Sequence, residues 1–177
     1  MTRFISRRLS RLRRDDSGNA SVEFVIIFPV FVMFLLFSIE LSVITLRHAM
    51  LERGLDLTVR QIRLGYATPP NHPTIKNMVC EFSHLGGNCS ENLRLEMKPV
   101  DIRAYSGLDA TPDCSDEAQP TKPVRQFVPG QRNQLMLLRA CLKYDPMMPQ
   151  DILGKALKKD SSGQAAVVSM SAFVQEP

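Results

Sequence analysis

Seven side chains are of the types that carry nucleophilic or metal chemistry: Cys80, Cys89, Cys114, Cys141, His48, His72 and His84. A structural zinc site needs closely paired ligands, and no Cys-x2-Cys spacing occurs; His84, between Cys80 and Cys89, adds one candidate ligand. The histidines fall on a helix face, in a proline turn and near a helix end, outside any nucleophile or metal motif. There is no P-loop and no Gly-x-Gly-x-x-Gly. The expectation is a protein with no catalytic residues, no metal and no cofactor. The cysteines then read as disulfides, for which four residues permit three pairings. Cys80–Cys89 would close the shortest loop, tying a helix to the segment after it. Cys114–Cys141 would pin a long proline-rich loop to a strand.

Disulfides require an oxidising compartment, and the chain carries the means to reach one. Phe24–Ile39 is an uncharged run that holds five of the nine phenylalanines, Phe24 and Phe34 among them. Glu40 interrupts it, and Leu41–Leu46 restores apolar character. From residue 24 to 46 an α-helix is about 34 Å long at ~1.5 Å per residue, enough for a hydrocarbon core of about 30 Å. The run has no polar face, unlike a soluble core helix. A signal peptide would have a shorter apolar core and a small-x-small site after it, whereas Ile44-Thr45-Leu46-Arg47-His48 follows here. The segment is expected to remain as a transmembrane helix. Pro29 removes one helix hydrogen bond inside it, which membrane helices tolerate. Glu40 is expected at the far interface, its carboxylate reaching into water.

The net charge of +4 is located entirely before this helix. Residues 1–17 contain six arginines and two aspartates, and the remaining chain is neutral. A uniformly basic nucleic-acid-binding domain is therefore not expected. The arginine cluster orients the helix, with the N-terminus cytoplasmic and the C-terminal part translocated.

Between leader and helix stands Asp15-Asp16-Ser17-Gly18-Asn19-Ala20-Ser21-Val22-Glu23-Phe24. A glycine closes the basic leader, and five residues later a glutamate opens the apolar run. This resembles the type IV prepilin motif. The form Gly-Asn-Ala-Ser-Val-Glu-Phe followed by Phe-Pro-Val-Phe is similar to the TadE/TadF pseudopilins of Flp (Tad) pilus systems. The resemblance implies a membrane peptidase cut between Gly18 and Asn19. It also implies that Glu23, the fifth mature residue, pairs with the new α-amino group of a neighbouring subunit. Implied partners are the prepilin peptidase, other pilins and pseudopilins, inner-membrane assembly proteins and the lipid bilayer. The implied location is a bacterial inner membrane, single-pass, with a periplasmic head. An uncleaved single-pass periplasmic binding module is the alternative, with the loop 106–133 as its recognition surface.

Three parts are expected: a basic leader (1–18), a long helix (19–65) and an α+β head (66–177). In the second half of the helix Ile44, Leu51, Leu55, Thr58 and Ile62 recur at helical spacing, with His48 completing the row. Gly65 and Pro69-Pro70 end it. Asn71-His72-Pro73 starts a short helix running to about Leu85. Leu93-Leu95-Met97 alternates with Arg94-Glu96-Lys98 as a half-buried strand; after Pro99 the apolar phase shifts to Val100-Ile102-Ala104, so Pro99 marks a bulge or a break. Residues 106–133 are turn-rich. Leu135–Tyr144 is a strand with Met136, Leu138, Ala140 and Leu142 on one face and Cys141 on the other. A short helix is expected near 150–157. A final strand, Ala165–Val174, is expected to turn Ala166, Val168, Met170, Ala172 and Val174 to the core. Its ending departs from the Phe-Arg-Asn common in the resembled group. The predicted fold is pilin-like: a transmembrane helix extended into an amphipathic helix on a small antiparallel sheet of three or four strands.

Overall fold

The computed structural model describes residues 19–65, 71–86, 88–104, 107–114 and 126–176. Helix α1 runs Asn19–Arg63, with Pro29 inside it. The chain divides into two compact units within α1, Met1–Ile39 and Glu40–Pro177. In the first unit Val22–Ile39 forms a helix whose large apolar side chains are mostly exposed. A helix this apolar has no aqueous use for that surface, and it is long and apolar enough to cross a membrane.

The second unit is built on a three-stranded antiparallel sheet in the order β1-β2-β3: β1 Leu93–Pro99, β2 Leu135–Tyr144 and β3 Ala165–Val174. Helix α2, His72–Ser83, is capped by Asn71, whose side chain accepts the Thr74 amide at 2.9 Å, and has proline in its first turn. Among the described residues the unit also has two short helices: α3, Cys89–Asn92, which no periodicity announced, and α4, Ile152–Ala156, capped by Asp151. With its α+β head and one apolar N-terminal helix, the fold is the class the sequence predicts.

The core lies on one face of the sheet. Leu51, Leu55, Val59 and Ile62 of α1 and Ile75 and Val79 of α2 pack with Leu93, Leu95, Met97, Met136, Leu138 and Leu142. The expected row on α1 is buried from Leu51 to Ile62, and Thr58 returns its hydroxyl to the Gly54 carbonyl at 2.8 Å. His48 does not complete that row. It is exposed, and its Nε2 donates to the Val168 carbonyl at 3.1 Å. Gly54 is the point of closest helix approach. A Cβ there would lie 2.6 Å from Ser83 Cβ and 2.7 Å from the Val79 carbonyl oxygen.

Of the bulge or break expected at Pro99, the structure has the break: β1 ends there, and Ile102 is 78% exposed. The Val100 amide bonds Leu135 O at 2.8 Å and the chain leaves the sheet. One expectation about the strands is corrected: the core face of β3 is the opposite one. Met136 pairs with Phe173, Ala140 with Ser169 and Leu142 with Val167. Antiparallel partners share a face, so the inward side of β2 carries Ala165, Val167, Ser169, Ser171 and Phe173 inward. Ala166, Met170, Ala172 and Val174 are exposed on the other side, Met170 by 57%.

Candidate functional site

The residues expected to act in processing and assembly gather at the start of α1. Gly18 and the leader lie outside the described residues. Asn19, on the far side of the expected cut, is the first residue of α1. Glu23 stands one turn in, exposed, immediately before Phe24 and the apolar run. At the N-terminal end of a helix a carboxylate also faces the positive end of the peptide dipoles, worth ~0.3–1 kcal/mol. Phe24 stacks on Phe28 with ring centroids 4.9 Å apart. Phe34 and Leu46 are exposed, and Pro29 lies in continuous helix.

Glu40 does not reach into water. It is 1% exposed, and its Oε1 accepts the Met147 amide at 3.2 Å. Oε2 has no hydrogen-bond partner among the described residues. The turn after β2 closes over it. Beside it, the Arg47 guanidinium lies 4.7 Å from the centre of the Tyr144 ring and donates to the Asp145 carbonyl at 3.3 Å. Burial raises the Tyr144 pKa above its usual value, and nearby Arg47 opposes the rise.

All four cysteines are paired, Cys80 with Cys89 and Cys114 with Cys141, at Cα separations of 5.7 and 5.2 Å. Among the described residues no cluster of three metal-type ligands forms. The second disulfide joins a feature the sequence did not announce. The outer face of β1 and β2 carries Arg94, Glu96 and Arg139, all nearly buried. Arg139 Nε donates to Glu96 Oε2 at 2.7 Å, and its Nη1 donates to the Asp109 carbonyl at 2.7 Å. The Asp113 amide donates to the same Glu96 oxygen at 3.0 Å, and Arg94 pairs with Asp113 at 3.3 Å. The segment 107–114 therefore covers this face, held by charge at Glu96 and Asp113 and covalently at Cys114. Alternating charged residues on β1 suggested a solvated face; the loop that a Cys114–Cys141 bond would pin to the face of Cys141 is what covers them.

A third polar cluster closes the turn before β3. Asp160 accepts from Lys143, from the Ser162 amide and hydroxyl, and from the Gln164 amide. Burial would push its carboxyl up, but the hydrogen bonds from Lys143, Ser162 and Gln164 outweigh it and hold the pKa at about 2.

Neither a curated protein nor a solved structure matches the chain. The family model of TadE-like proteins matches residues 18–60, from Gly18 through Glu23 and the apolar run into the head-packed part of α1. Over this N-terminal segment, about a quarter of its length, the chain is similar to TadE-like proteins.

Proposed function

We propose that the protein is a membrane-anchored pseudopilin of a Flp/Tad-type pilus system, without catalytic activity of its own. A TadE-like N-terminal segment supports a role in the Tad pilus system, and its finer assignment rests on the residues at the boundary. A prepilin peptidase cuts after Gly18 and discards the basic leader. The mature chain begins at Asn19, with Glu23 at the membrane edge. There a carboxylate is costly without a partner, and the α-amino group of a neighbouring pilin or pseudopilin supplies one. The leader keeps the N-terminus cytoplasmic, and the disulfide-bonded head is periplasmic.

The observation that carries this reading is that the family match begins at Gly18 and includes Glu23 and the apolar run. N-terminal sequencing of the protein from membranes tests it. An N-terminus at Asn19 is expected; retention of Arg3–Arg14 overturns it. Glu23→Ala is then expected to leave insertion and head folding intact while reducing recovery with the other pilus subunits. Undiminished recovery would leave Glu23 as a helix-end charge alone.

A further inference from the structure

The head exposes two large apolar side chains, Met147 and Ile152, in the β2–β3 connection. Glu40 follows Ile39, the last residue of the exposed apolar segment, by one peptide bond. Whatever contacts Glu40 lies within a few ångströms of the point where that segment ends. The contact is Met147, whose backbone amide donates to Glu40. Arg47 to Asp145 and Arg63 to Glu176 fix the direction of the head along its own helix, with the β2–β3 connection at the Glu40 end. In that connection Met147 is 58% and Ile152 66% exposed. The same segment exposes Lys155 and Lys158.

We propose that this connection, residues 145–159, is an interfacial anchor that lays the head on an anionic phospholipid surface. The inference rests on α1 spanning a membrane. Met147 and Ile152 enter the boundary between headgroups and acyl chains, where exposed apolar side chains gain by leaving water. Lys155 and Lys158 are attracted to the anionic headgroups of that surface. The segment carries three lysines against two aspartates, and one of these, Asp151, is used internally as a cap, accepting the Gly154 amide at 2.6 Å. Within the head, Glu40 holds the turn at the residue that follows Ile39 in the chain, so the anchor is clasped to the head's own part of α1 rather than carried on a free loop. A lipid occupant is favoured over a protein one by this continuity: a single-pass helix brings its own bilayer to the site.

The chain has no tryptophan, so one introduced residue is a sole reporter. Met147→Trp, Ile152→Trp, Val128→Trp and Phe24→Trp are made in the full chain. Each is reconstituted into phosphatidylcholine vesicles with and without phosphatidylglycerol, some containing shallow-brominated lipid. Expected are blue-shifted, strongly quenched emission at positions 147 and 152 and water-like, unquenched emission at 128. Quenching at 147 should increase with phosphatidylglycerol, and Lys155→Gln with Lys158→Gln should remove that increase. Water-like emission at both 147 and 152, with position 24 quenched, overturns the anchor but not the membrane helix. An unquenched position 24 overturns the membrane helix and the anchor with it. An unchanged phosphatidylglycerol response in the double lysine variant overturns the electrostatic part.

Discussion

Glu40 Oε1 accepts the Met147 amide at 3.2 Å across 107 residues of sequence, with the carboxylate sealed from solvent. A carboxylate at the start of the head's part of α1 thereby becomes the clasp between α1 and the β2–β3 connection. Replacing Glu40 with Ala orphans a half-buried amide, which costs ~1–3 kcal/mol. The expected result is a lower melting temperature for the head in detergent, with proteolysis appearing first at the 145–150 turn. An unchanged melting temperature and cleavage pattern would show that the contact contributes nothing.

Gly54 permits α1 to approach α2 closely. In Gly54→Ala the new methyl meets Ser83 Cβ and the Val79 carbonyl below 3 Å. Overpacking of this kind costs ~1–3 kcal/mol, far more than the better helix propensity of alanine returns. The Val79 oxygen is backbone, so a Ser83→Gly background is expected to restore only part of the loss. Urea unfolding midpoints of the three variants measure both effects.

The two disulfides close loops of different length, with sequence separations of 9 and 27. Loop-closure entropy makes removal of Cys114–Cys141 costlier by about 1 kcal/mol. It also frees the segment over Glu96 and Arg139, admitting water to buried charges. Cys114→Ser with Cys141→Ser should therefore lower stability more than Cys80→Ser with Cys89→Ser. Comparison of the two double variants in denaturant decides this; the reverse order would mean the charged layer holds the loop without covalent help.

Asp160 is held at about 2 against an ordinary value of 3.8. A depressed carboxylate pKa means that its stabilisation is fully present above the unfolded value and is lost as pH falls from about 4 to about 2. After screening by solvent it contributes about 1 kcal/mol. Asp160→Asn should be destabilised at pH 7 by about that amount and converge on the parent near pH 2. A difference independent of pH would assign the effect to the turn hydrogen bonds instead of the charge.

The elements of this protein are legible because their causes are local. An uncharged run of membrane length, a 3–4 spacing from Leu51 to Ile62, Asn71 before a proline, and alternation over Leu93–Met97 and Leu135–Tyr144 each dictate an element from neighbouring residues alone. The Gly18–Glu23 spacing likewise sits in one short stretch, and the family match falls on that stretch. Placement of faces and partners is different. Both rows of β3 alternate, and the more apolar row looked inward; the register set by Met136 and Phe173 sends the row with two serines to the core instead. Glu40 reads as an interfacial acid until the turn at Met147, over a hundred residues away, covers it. Which cysteines pair, and that Glu96 and Arg139 are covered, depends on where the segment 107–114 crosses the sheet. Local sequence determines which elements form because backbone propensity and hydrophobic period act over a few residues. Only the tertiary structure decides what each face meets, because burial is a property of the packed sheet and not of any one strand.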